Sequence, residues 1–214
     1  MPATDDLIDG LVSDLRPVAP FSAVGTVTLG LGGGVLAATA VMIAGLGVRA
    51  DLATAMGTAA HWIKLLYTLA LGVCAATAMN RLARPGGSAP LAWAVAAAVF
   101  ATVAGLAALQ LAEAPPEARR PLVMGASADK CPWLILVLSL PIFAGAVWAM
   151  RRLAPTRLTV AGLAVGLAAG GLGACVYAFH CDETAIPFLA LWYTLGIAAA
   201  GAVGAATGRL LLRW

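Results

Sequence analysis

Few side chains in this 214-residue chain could do chemistry: four cysteines (Cys74, Cys131, Cys175 and Cys181), the histidines His61 and His180, and Lys64. They stand among long apolar runs. Cys131 is followed by Pro132 and Trp133, and Cys181 sits between His180 and the acidic pair Asp182 and Glu183. A thiolate is both a nucleophile and a soft-metal ligand, so two thiols on an oxidising side could be bridged, bind metal, or stay unlinked. Cys131, Cys181, His180 and His61 are the residues a soft metal could use, but their spacing matches no metal signature. Interfacial histidines bonded to backbone or water are the favoured account of the two imidazoles. Cys74 and Cys175 fall inside apolar runs, where cysteine behaves as a small hydrophobe. No CxxC, HExxH or GxSxG occurs, and no carboxylate pair lies within an apolar run. The sequence therefore carries no catalytic set, calls for no cofactor, and reads as a non-enzyme.

The elements that must position these residues follow from composition. Hydrophobic residues make up 62% of the chain, charged residues only 11%, and mean hydropathy is +0.94. No soluble domain of this size covers its surface with so few charges, so the expected fold is an all-α, polytopic membrane bundle. Six runs are long enough to cross a bilayer of about 30 Å as helices: 22–47, 58–79, 90–112, 133–150, 158–179 and 187–210. Pro141 is expected to kink the fourth. Gly162, Gly166 and Gly170 in the fifth run, and Gly204 and Gly208 in the sixth, make small-residue stripes that let helices approach closely. The TLGLGGG stretch at 28–34 lies within a span, with no preceding strand, and is not a dinucleotide loop. An acidic N-terminus argues against a cleaved signal peptide, and the basic residues are too scattered to engage nucleic acid.

Orientation follows from the basic residues. With the N-terminus inside, eight arginines fall on the cytoplasmic side and four lysines or arginines opposite, with Lys64 within a span. The positive-inside rule then places both termini in the cytoplasm and both loop cysteines on the outer, periplasmic side of a bacterial inner membrane. Lys64 is expected to snorkel outward. Trp62, Trp133, Trp192 and Tyr193 read as an outer aromatic belt, with Trp148 and Trp214 as the inner one.

Before the first span comes TDDLIDGLVSDLRPVAP, residues 4–20. Leu7, Ile8, Leu11, Val12 and Leu15 share one helical face, while Asp6 and Asp9 lie opposite. Thr4 is the expected N-cap, and Pro17 and Pro20 end the helix. Membrane-surface helices carry basic polar faces. This face is acidic and would be repelled by anionic lipid, so a protein partner is expected. The chain divides into a cytoplasmic binding segment, 1–21, and a six-helix transmembrane domain, 22–214.

The run Asp5 to Pro20 resembles the NrsF-like family of six-span membrane anti-sigma factors. So does the run from His180-Cys181 through Pro187-Phe188, Trp192-Tyr193 and Gly196-Ile197 to Gly208-Arg209 and Leu212-Arg213-Trp214. Cys131-Pro132-Trp133 and Arg152-Leu153-Ala154-Pro155 look like further landmarks of that family. The resemblance implies sequestration of an extracytoplasmic-function sigma factor until envelope stress releases it. On that reading Leu7, Ile8, Leu11, Val12, Leu15, Asp6 and Asp9 bind the sigma factor. Cys131 and Cys181 sense oxidant or metal. Two rivals remain: a membrane thiol-disulfide oxidoreductase, which lacks its CxxC, and a small-molecule transporter, which lacks intramembrane acids.

Overall fold

The computed structural model describes residues 2–13 and 22–213. All regular structure among them is helical: α1 (Pro2–Ser13), α2 (Ser22–Gly45), the single turn α3 (Leu52–Ala55), α4 (Ala59–Leu82), α5 (Pro90–Glu113), α6 (Pro116–Met124), α7 (Cys131–Met150), α8 (Leu158–Tyr177) and α9 (Ile186–Leu211). Helices α2, α4, α5, α7, α8 and α9 are each long and apolar enough to cross a membrane. The chain is a multi-pass membrane protein by this measure. An even number of crossings puts the start of α2 and the end of α9 at one end of the bundle, the terminal face, with loops 83–89 and 151–157. Loops 46–58, 114–130 and 178–185 form the distal face.

The six spans lie within a few residues of those expected, because an apolar run flanked by charge or proline has one solution in lipid. Helix α8 is central, with 67% of its apolar window buried in protein; α5 is peripheral, with 11%. The α8–α9 contact is made by the anticipated glycines. A side chain at Gly162 would strike the Gly204 carbonyl, and one at Gly166 the Ala200 carbonyl. A second contact of this kind was not anticipated. Gly30 and Gly145 meet backbone to backbone across α2 and α7, and Gly34 lies against Pro141 and Ile142. The glycine run at 28–34, helical throughout, is there to let α2 approach α7. Pro141 lies inside α7 without ending it.

Three local features differ from the sequence reading. Helix α1 starts at Pro2, where the missing N–H is harmless, so Thr4 lies within the first turn instead of capping it. The loop after α5 holds a helix of its own, α6, on the distal face. Lastly, α9 contains a π-helical turn, Leu189–Tyr193. Such turns insert a residue into the helical ladder and occur at functional sites.

Candidate functional site

Both loop cysteines lie at the distal end of the bundle, and both are buried: Cys131 is 0% exposed and Cys181 is 3%. Cys131 opens α7, its N–H donating to the Ser127 carbonyl at 2.9 Å. Cys181 follows α8 directly, its N–H donating to the Tyr177 carbonyl at 3.0 Å. Both belong to one distal core with Tyr67, Ile135, Leu138, Tyr177, Phe188 and Tyr193. The Tyr177 hydroxyl faces both thiols, and its ring lies 5.7 Å from that of Tyr193. Residues fifty positions apart thus share one buried cluster of two thiols and two phenols. Neither cysteine is in a disulfide.

Cations hold the Cys181 backbone in place. Lys64 is 3% exposed; its ammonium donates to the Cys181 carbonyl at 3.0 Å and stands 5.6 Å from the centre of the Tyr193 ring. Snorkelling to solvent, the expectation for Lys64, does not occur, because a carbonyl and an aromatic face lie within reach inside the bundle. Arg49 Nη1 donates to the same carbonyl at 3.0 Å. Its other edge makes a two-pronged ion pair with Asp51, at 2.7 and 2.8 Å. That pairing raises the Arg49 pKa, and the guanidinium holds the Asp51 carboxyl below its usual range.

The loop before α7 is tied to the same segment. Glu183 accepts from the Ala126 N–H at 2.6 Å and the Ser127 hydroxyl at 3.3 Å. Gly125 makes this possible: it has a positive φ of 52°, and a Cβ there would run into the Glu183 carboxylate. Ile186 N–H donates to Gln110 at 3.2 Å, pinning α5 to α9, and Trp192 Nε1 to the Val123 carbonyl at 2.8 Å, pinning α6 to α9. Through the π turn, neighbouring residues serve different layers: Trp192 reaches α6, while Tyr193 is fully buried instead of joining an aromatic belt.

The His180 ring lies 5.7 Å from that of Tyr177, at the edge of this cluster. His180 Nδ1 pairs with the Gly47 carbonyl at 2.9 Å. His61 is buried with both ring nitrogens unpartnered, packed edge-on to Phe179 at 6.0 Å. Among the described residues no three of His, Cys, Asp and Glu converge as a metal site. The four soft-metal candidates therefore do not form one set.

Every described side chain of α1 is exposed, including Leu7 (62%), Ile8 (51%), Leu11 (64%) and Val12 (59%). Asp6 and Asp9 are exposed on the opposite face. Leu15 lies outside the described residues.

The family model described as negative regulator of sigma F matches residues 11–214. The chain belongs to the negative regulator of sigma F family. It is 42% identical over 216 residues to the anti-sigma-F factor NrsF of Caulobacter vibrioides, covering 99% of each chain. It is 41% identical over 214 residues to the probable anti-sigma-F factor NrsF of Azospira oryzae, again covering 99% of each. No solved structure matches the chain.

Proposed function

We propose that this family member is an anti-sigma factor of the bacterial inner membrane, with both termini in the cytoplasm, that holds an extracytoplasmic-function sigma factor through α1. The observation that carries this reading is the exposed apolar face of α1. Leu7, Ile8, Leu11 and Val12 lie on one side of a 12-residue helix and are each more than half exposed. A helix of that length is marginal in water, and an unburied apolar stripe on it calls for a groove in a partner. Leu15 extends the stripe by sequence. Asp6 and Asp9 steer the helix to a basic patch on that partner and set its register. Repression then follows from occlusion of surface the sigma factor uses for core polymerase.

Release is triggered at Cys131 and Cys181, on the periplasmic side. With a hydroperoxide as oxidant, the two thiols give up two protons and two electrons to form one S–S bond, and the peroxide becomes an alcohol and water. The new bond ties the start of α7 to the end of α8. A thiol-seeking metal is the alternative trigger at the same two sulfurs. A difference of about 2–3 kcal/mol between two packings changes a binding-competent population tens of fold.

The test is Leu11→Asp in the full-length protein. Burying a leucine contributes roughly 1.5–3 kcal/mol, so sigma-factor capture should fall at least about tenfold. Sigma-dependent transcription should stay on while the protein remains in the membrane. Continued repression by this variant would move the binding surface elsewhere.

A further inference from the structure

On the terminal face, two cavities meet at Arg81. One, of about 550 Å³, is polar and is lined by Asn80, Arg81, Arg84, Ser88 and the backbone of loop 85–87. The other, of about 320 Å³, is an apolar groove between α4 and α5, walled by Val73, Thr77, Leu91 and Val95 and ending at Arg81. Thr77 does not make the groove polar, because its hydroxyl is committed to the Val73 carbonyl at 2.8 Å. Both arginines are exposed, and neither has a partner among the described residues, where the ion pair is Arg49–Asp51. No acidic residue occurs between 81 and 89, or in the neighbouring loop 151–157. The two loops are joined: Ala154 N–H donates to the Ala83 carbonyl at 3.2 Å, and Gly86 N–H to the Thr156 hydroxyl at 3.4 Å. The floor of the polar cavity is thus fixed by two loops.

An anion alone would satisfy the arginines and leave the groove empty; an acyl chain alone would do the reverse. We infer that loop 81–88 and the α4–α5 groove form a binding site for one anionic phospholipid, its phosphate held by Arg81 and Arg84 and an acyl chain lying along Val73, Leu91 and Val95. The position suits it: Arg81 lies in the last turn of α4 and Arg84 two residues past its end, at headgroup depth, and the groove descends into the hydrocarbon band. Basic pockets between spanning helices are where such headgroups bind, at about 1 kcal/mol per arginine, or roughly fivefold in affinity.

The experiment is native mass spectrometry of the full-length protein in detergent, titrated with phosphatidylglycerol, phosphatidylcholine or glycerol 3-phosphate. Phosphatidylglycerol should remain bound where phosphatidylcholine is lost. Arg81→Gln and Arg84→Gln should each weaken retention about fivefold, and Arg81→Lys much less. Val95→Trp, which fills the groove and leaves both arginines, should weaken lipid retention as well. Unchanged retention in the double Gln variant, or in Val95→Trp, would overturn the site. Binding of glycerol 3-phosphate as tight as that of the lipid would overturn the acyl groove. If the Gln variants lose sigma-factor capture and keep lipid, the arginines serve a protein partner and the proposal is wrong.

Discussion

Lys64 on α4 donates to the carbonyl oxygen of Cys181 at 3.0 Å, so a buried cation in one span holds the loop that carries a thiol from another. A hydrogen bond to a charged group contributes about 1.5–3 kcal/mol. Lys64→Met keeps the stem and removes the ammonium. It should raise the alkylation rate of Cys181 by about tenfold, with Lys64→Arg recovering part of the protection. Timed maleimide labelling of membranes reads this directly, and equal rates in all three proteins would show that the contact does not hold the loop.

If Cys131 and Cys181 act as one unit, as their shared cluster suggests, then Cys131→Ser, Cys181→Ser and the double variant should give the same loss of induction. Replacing Cys74 or Cys175, which lie outside the cluster, should leave induction intact. A sigma-dependent reporter under hydroperoxide or metal stress distinguishes these cases. Normal responses from the single variants would make the pair structural.

The α2–α7 contact predicts a sharp positional contrast. At Gly30 a Cβ would strike the Gly145 carbonyl and crowd Ala149, whereas at Gly32 it would meet nothing within 4 Å. Gly30→Ala should therefore destabilise the bundle by about 1–3 kcal/mol, while Gly32→Ala should be silent. Thermal unfolding in detergent measures both.

The Arg49–Asp51 pair sets an acid limit. The folded carboxyl of Asp51 lies below its unfolded value, so its stabilisation is complete above about pH 4 and fades as pH falls through the folded value. Between pH 8 and about pH 5 this contribution should be flat. Asp51→Asn should flatten the acid limb of a melting-temperature profile and leave the neutral region's slope unchanged.

The spans were legible in the sequence because lipid leaves an apolar run no alternative to a helix. The α8–α9 glycines were legible too, since their four-residue spacing survives in the sequence as a stripe. Gly30 and Gly145 sit on different helices, and only the fold reveals that they meet. Lys64 and Tyr193 were misplaced for one reason: near a span's end, composition is the same for a residue that points to the interface and one that points inward. Helix α6 is short, charged and interrupted by Pro121, so no periodicity announced it. The π turn leaves no sequence mark, yet it separates the roles of Trp192 and Tyr193. The apolar stripe of α1 was plain from its spacing alone, and its described residues are exposed.

The complete burial of Cys131 bears on time as well as place. A thiol with no exposed surface, packed in the distal core beside Tyr177, would be attacked only while its cover is open, so its rate would be the open fraction multiplied by the rate of the bare thiol. With so small an open fraction, a brief pulse of oxidant would convert few molecules, whereas a sustained exposure at the same strength would convert the population steadily. The cover would make the protein a counter of how long a stress lasts, deaf to momentary spikes.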